Sequence, residues 1–305
     1  MTVANHSLRP SPAGDASKLE TAAKQRVWSQ ALWREKTARF GLILLVLFAI
    51  IAIVGPFLSP NDPNAINPEL RLIGRSWHFP LGTDQLGRCI LTRLIFGARW
   101  SLGAAGLACC ITVAIGLGVG AFAGYRLGTP GALVMRAVDV LLGLPSLVLA
   151  LAIVGMLGPS MPHLLAGIVS IWWARYARIV YGLVVAIRER PFVEAGLALG
   201  AGVRQTLMRH ILPNVLPTIA VLASLELGEL ILAISGLSFL GLGPQPPTPE
   251  WGAMLNEGRS YFLTAPQLMI FPGMAIALVV IGTNLVGDGV RDLLDPMPVH
   301  SLNRR

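Results

Sequence analysis

The sequence predicts an all-α polytopic membrane protein with six transmembrane helices, and three observations carry the prediction. Of 305 residues, 54% are hydrophobic and only 13% charged, with a mean hydropathy of +0.65, too apolar for an ordinary soluble domain. Six apolar runs of about 20 residues alternate with polar segments, and each is long enough as a helix to cross a ~30 Å hydrocarbon core. With both termini inside, only Arg71, Arg75, Arg88, Arg93, Arg99 and Arg259 of the 24 Lys and Arg fall outside, as the positive-inside tendency requires. The net charge of +8 therefore reads as membrane orientation, and no nucleic-acid partner is expected.

Residues 1–39 are polar and basic, with Trp28 and Trp33 near their end. They read as a cytoplasmic N-terminal tail finishing in a short interfacial helix, too long a polar lead-in for a cleaved signal peptide. The next region, residues 40–99, holds the first span, Phe40 to Leu58, and an extracytoplasmic loop rich in Pro, Asn and Arg. Five more spans make up a core over residues 100–291. The second span, about Leu102 to Tyr125, carries Gly116, Gly120 and Gly124 at four-residue spacing, a stripe suited to close helix contact. A short inward loop, Arg126 to Arg136, leads to the third span, about Val138 to Leu157, which Pro145 should kink. Asp139 lies one turn from Arg136, at the spacing of a structural pair. A tight outer turn over Gly158 to His163 precedes the fourth span, Leu164 to Val185, with Arg175 and Arg178 in its inner half. The fifth span, Thr218 to Leu240, places Glu226 and Glu229 on one helix face. Carboxylates at that depth either line a cavity or pair with Arg175 or Arg178. A loop to about Gln267, a sixth span from Leu268 to Val286, and a cytoplasmic tail at 292–305 complete the chain.

The polar stretch Ile187 to Pro217, between the fourth and fifth spans, accommodates two short helices. Pro191 starts one, with Glu194 in its first turn. The Gly200/Gly202 pair then turns the backbone before Val203 to Ile211 resume a helical pattern, which Pro213 and Pro217 break. Within this stretch Glu194-Ala195-Gly196, then Gly200, then Leu212-Pro213 resembles the EAA loop of ABC importer permeases, with Gly four residues after the triplet and Pro thirteen beyond it. Gly196 stands for the second Ala, and His210 stands where many families carry Ile. The ending His210-Ile211-Leu212-Pro213-Asn214 is similar to the dipeptide, oligopeptide and nickel subfamily. In that family the loop is a coupling helix that docks on a separate ATPase, and small residues such as Ala195, Gly196, Ala198 and Gly200 allow close approach to a partner backbone.

Three further stretches carry the same resemblance. His78 to Arg88 with Gly97-Ala98-Arg99-Trp100-Ser101-Leu102 is similar to the subfamily's HxLGTDxLGRD…GARxSL signature. Cys89 replaces the usual Asp, which implies a missing local acidic partner for Arg88 or Arg93. Leu237 to Gly243 with Pro247 to Leu255 matches an LSFLGLG…PxPxWGxML segment, and Asn284 to Pro296 matches an NLxGDGxRDxLDP ending. Together these cover roughly residues 40–296.

The resemblance implies a type I ABC importer permease (MetI-like) fold and membership of a larger assembly in a bacterial inner (plasma) membrane. Its partners would be a homologous permease subunit forming a heterodimer, two ABC ATPase subunits, an extracytoplasmic solute-binding protein and the lipid membrane itself. It further implies coupling through Glu194, Ala195, Gly196, Gly200, Leu212 and Pro213, and a binding-protein contact around Pro249, Trp251 and Gly252. Glu226, Glu229 and Pro145 are candidate pathway residues on the depth and kink arguments above. Di- or oligopeptides are the leading substrate; nickel, glutathione and other small solutes remain open.

The chain has no GxxxxGK[ST] phosphate loop, so ATP and Mg belong to the ATPase subunits and no cofactor is expected here. His6, His78, His163, His210 and His300 are scattered, and Cys89, Cys109 and Cys110 lack metal-ligand spacing; no metal site and no enzymatic activity are expected. Cys109 and Cys110 read as packing residues. A rival reading makes the chain an ion-gradient-driven secondary transporter or channel with Glu226 and Glu229 as its ion site. A membrane-embedded enzyme ranks last, for want of an acid/base or metal motif.

Overall fold

The computed structural model describes residues 35–126 and 128–294. The interfacial helix expected near Trp28 and Trp33 and the tail beyond residue 294 lie outside the described residues. Among the described residues all regular elements are helical, and a lone β-bridge joins Thr83 and Cys89.

Helix α1 (Lys36–Leu58) is the first span. Ile43, Leu47, Ile50, Ile53 and Phe57 are exposed on it, an apolar face suited to lipid, while its buried side consists of Ala38, Gly41 and Ala52. Helix α2 (Ile90–Tyr125) begins twelve residues before the expected second span, its 36 residues extending about 54 Å. The added turns bury Thr92, Arg93 and Ser101 against protein, so tertiary contacts, which hydropathy does not register, support them. Gly116, Gly120 and Gly124 do form a contact stripe. A Cβ on Gly124 would sit 2.9 Å from Val184 Cβ, and one on Gly120 would sit 2.7 Å from Val180 Cβ, so α2 and α5 (Met161–Arg188) nearly touch backbones. Cys110, expected to pack, is exposed.

The third crossing is broken, where the sequence suggested one kinked span. Helix α3 (Thr129–Leu142) and α4 (Ser146–Leu157) meet at 86°. Pro145 disfavours helical geometry at Leu144 and Gly143 is a weak helix former, so α3 ends at Leu142 and Pro145 becomes the cap residue of α4. The expected inward loop at 126–136 is largely α3, which Pro130 starts from its first turn. At the other end of α4, Gly158 adopts φ +90° and the Ser160 side chain accepts from His163 N–H at 3.3 Å.

After α5 come the short α6 (Pro191–Ala198) and α7 (Val203–Phe239). The expected second short helix, Val203 to Ile211, is continuous with the fifth span: Pro213 and Pro217 do not break it. A π-helical turn over Thr206–Ile211 widens the backbone just before Pro213, relieving the clash its ring makes with the preceding turn. Asn214 Nδ2 donates to the His210 carbonyl at 2.7 Å in this loosened turn. Helix α8 (Trp251–Gly258) lies in the following loop, and α9 (Gln267–Leu294) is the last span.

Among the described residues five helices are long and apolar enough to cross a membrane, and the bent α3–α4 pair makes six if it counts as one broken span. The main core gathers Ala105 and Ala108 of α2, Val154 of α4, Leu164 and Ile168 of α5, Leu230 and Ile234 of α7 and Val279 of α9. Gly289 packs against Ala38, so the beginning of α1 and the end of α9 share one face. This face also carries residues 189–202, the stretch expected to couple, and is called the coupling face after that expectation; the opposite, loop face carries residues 59–89 and 240–266.

Candidate functional site

Three groupings of side chains stand out, one at each face and one midway. On the coupling face, Pro191 sits in the first turn of α6, Glu194 follows where a negative charge favours the helix N-terminus, and Val193 is fully buried. Gly200 closes the helix at φ +86°, the left-handed geometry glycine supplies without strain, and Ala201 N–H reaches back to the Gly196 carbonyl at 3.0 Å. Glu194, Ala195, Gly200 and Pro213 are exposed, whereas Gly196 and Leu212 are half-buried. Phe192 stacks obliquely on His210, ring centroids 6.4 Å apart. Glu194, Ala195, Gly196 and Gly200 lie on α6 and at its end, and Leu212 and Pro213 lie on α7 just past His210, whose Nε2 would be 3.5 Å from a Cβ on Gly196; Phe192, Leu197 and Leu199 are exposed, Leu199 at 90%.

Midway between the faces, Arg175 of α5 meets both carboxylates of α7. Its Nη1 lies 2.8 Å from Glu229 and 3.6 Å from Glu226. Glu226 is buried, but Arg175 and Glu229 are each about half-exposed. Of the two pairings the sequence allowed, the one with Arg175 forms; Arg178 instead joins Asp139 of α3 at 3.0 Å, in place of the Arg136–Asp139 pair. Beside the Arg175–Glu229 pair opens a cavity of about 670 Å³ lined by Ser146 and Leu151 of α4, Trp172 of α5 and Leu232, Ala233 and Gly236 of α7. Pro145 does not line it; by ending α3 it directs α4 along the cavity wall. Trp172 Nε1, on the cavity wall, is buried without a hydrogen-bond partner, as are Tyr176 Oη and Glu226 Oε1, which do not line the cavity.

On the loop face, Arg88 and Arg93 are 1% exposed, and the local acidic partner thought missing is replaced twice over. Arg88 Nε donates to Asp84 at 2.6 Å and its Nη2 pairs with Glu257, which also receives Arg93 Nη2 at 3.0 Å. Gln85 adds a donor to Glu257 at 3.2 Å. This cluster ties the 59–89 loop to α8. Next to it, Glu250 is fully buried and caps α8 by accepting from Gly252 and Ala253 N–H, while Ser101 Oγ of α2 donates to the same carboxylate at 2.9 Å. Trp251 donates to the Leu94 carbonyl at 3.1 Å and meets Phe48 edge-on at 5.8 Å. Pro249, Trp251 and Gly252, expected at a binding-protein contact, are all buried. They seat α8 on α2 and α7, and the exposed part of the segment is Gln245, Pro246 and Pro247. Sequence reasoning passed over Glu257, Glu250 and Asp84; Asp84, four residues before Arg88, and Glu250, just ahead of α8, had local signals, and Glu257 had none.

Comparison with known proteins fits this geometry. Residues 116–298 match the family model of binding-protein-dependent transport system inner membrane components, and residues 25–74 match the N-terminal transmembrane domain of oligopeptide transport permease C. The dipeptide transport system permease protein DppC of Alkalihalophilus pseudofirmus is 41% identical over 272 residues, 88% of this chain and 90% of that one. The nickel transport system permease protein NikC of Escherichia coli K12 is 39% identical over 85% of this chain and 94% of that one. The glutathione transport system permease protein GsiD of Pectobacterium atrosepticum is 39% identical over 87% of this chain and 91% of that one. The chain therefore belongs to the binding-protein-dependent ABC importer permeases, in the branch whose members serve dipeptides, nickel and glutathione, and it is a membrane transport subunit rather than an enzyme.

Proposed function

We propose that this chain is one half of the translocation pathway of an importer for di- or oligopeptides, driven by separate ATPase subunits through the Glu194–Gly200 segment. The observation that carries the reading is α6 itself: a short helix anchored by one buried side chain, Val193, and ended by a left-handed glycine, with Phe192, Leu197 and Leu199 turned away from the bundle. An apolar edge beside small residues on a soluble face is suited to a cleft in a partner protein. The coupling face is cytoplasmic in this reading, and the loop face meets the solute-binding protein through the rim around Gln245 and Pro247.

The half-exposed Arg175–Glu229 pair supports a pathway at the adjoining cavity, because charges at that depth are costly against lipid but stable against water or a second permease subunit. A homologous permease would complete the cavity wall. Closure of the ATPase dimer on ATP would draw the two α6 helices together and switch the bundle from inward- to outward-facing.

Gly200→Asp tests this assignment. The left-handed backbone costs a non-glycine residue only about 1–2 kcal/mol, and a Cβ there meets no other atom within 4 Å, so the variant inserts normally. Uptake of labelled dipeptide by cells carrying it should be abolished; uptake at the wild-type rate by correctly inserted protein removes the coupling role.

A further inference from the structure

We propose that the groove between the loop-face half of α1 and the start of α2 is a phospholipid site, in which the Arg99 guanidinium holds the lipid phosphate and an acyl chain lies along the groove. This goes beyond the transport reading and rests only on the chain being membrane-embedded.

The inference starts from the five arginines between the first and second spans. Four have protein partners. Arg71 donates to the Tyr261 hydroxyl at 3.1 Å and lies over its ring, and Arg75 lies 5.7 Å from the Phe271 ring centroid. Arg88 and Arg93 are buried with Asp84 and Glu257. Arg99 alone makes no ion pair, hydrogen bond or ring contact with any described residue. Its guanidinium stays charged at any physiological pH.

Arg99 also lies deeper than the others. A Cβ on Gly55 would sit 2.5 Å from Ile95 Cγ2, which puts these two residues of antiparallel helices at one level. Arg99 is a further turn inward on α2, and Leu58, where α1 ends, is three residues outward. The Arg99 Cα therefore lies roughly 10 Å inside the end of the first span. Side chains on a helix lean toward its N-terminus, which for α2 is the loop-face end, so the Arg99 side chain is directed back toward the boundary, in the groove it shares with Phe57. That is the snorkelling geometry of a basic residue seeking the headgroup layer.

The groove has a volume of about 480 Å³ and is otherwise apolar: Ala49, Ala52, Ile53 and Phe57 of α1, with Leu102 and Gly103 of α2. Ile53 and Phe57 are largely exposed and continue the lipid-facing side of α1. One cation at the headgroup level above a hydrocarbon-lined furrow is complementary in charge and polarity to a phosphodiester carrying an acyl chain.

The test uses the intact transporter, extracted gently from its native membrane through a tag on this chain, stripped of loosely held lipid and examined by native mass spectrometry. It is titrated with phosphatidylglycerol and, separately, with phosphate-free dioleoylglycerol. Wild type should retain phosphatidylglycerol about fivefold more tightly than Arg99→Gln, the scale of one basic residue meeting one anionic headgroup, and should not retain dioleoylglycerol. Gly103→Leu keeps Arg99 but fills the groove. A Cβ at Gly103 meets no other atom within 4 Å, so the fold tolerates it, and it should lower phosphatidylglycerol binding as well. Equal binding by wild type and both variants overturns the proposal. Loss of a second permease chain from Arg99→Gln with lipid content unchanged also overturns it, because the counter-ion is then protein.

Discussion

Glu257 holds two buried arginines of the loop face, and each would lose its closest or second-closest anion without it. Removing one partner from a buried ion pair costs about 3–5 kcal/mol, so Glu257→Ala should sharply lower the thermal unfolding temperature of the purified complex; an unchanged midpoint would mean that the cluster contributes nothing. Arg175 offers a contrasting case, being half-exposed beside the buried Glu226. Arg175→Ala leaves that carboxylate without its cation, a loss of about 1–3 kcal/mol. The double variant Arg175→Ala/Glu226→Gln should regain most of the protein level seen in membranes. Residues of this kind were only partly legible. Glu226, Glu229 and both arginines announce themselves as charges inside apolar runs, and their helical spacing brings them to one face. Glu257 lies 169 residues from Arg88, and no local pattern links the two. The replacement of the family's usual Asp by Cys89 pointed instead to an unpaired arginine, although Asp84 supplies one carboxylate four residues before Arg88 and only Glu257 lay beyond any local pattern.

At the level of helices, spacing was the reliable signal and punctuation the unreliable one. The four-residue glycine stripe did become a close helix contact, between α2 and α5. Gly120→Val must push these helices apart, and overpacking of this kind costs about 1–3 kcal/mol. Gly118→Ala, two residues away and open to space, should be neutral. Comparing their unfolding midpoints checks the stripe: equal effects would show that the α2–α5 contact is not close-packed. Prolines misled in both directions. Pro145, read as a kink, separates two helices at 86°, because Gly143 weakens the helix just before it. Pro213 and Pro217, read as breaks, lie within α7, where the π-helical turn at Thr206–Ile211 makes room for Pro213. That turn makes residues 203–211, expected as a separate short helix, continuous with the fifth span, which bears Glu226 and Glu229.

For the molecule as a whole, six apolar runs and the distribution of cations were enough to foresee the number of crossings, because burial in lipid is a property of length and composition. The loop-face architecture was not foreseeable on those grounds. Its arginines, Glu250 and Trp251 are satisfied within the protein, so a hydropathy scan sees a polar loop where the structure has a packed cap on α2 and α7. The family established for the chain sets aside the gradient-driven reading of Glu226 and Glu229, and an ATP-driven switch leaves those residues as pathway or anchoring groups. The central proposal is that this chain works within an assembly, with α6 as the joint. The most direct measurement is gentle purification from the native host through a tag on this chain, with co-purifying proteins identified by mass and assayed for ATP hydrolysis. Wild type should bring down P-loop ATPases and a second permease, and Gly200→Asp should lose the ATPases while keeping the permease. Recovery of this chain alone, under conditions that keep a known importer intact, would contradict the account.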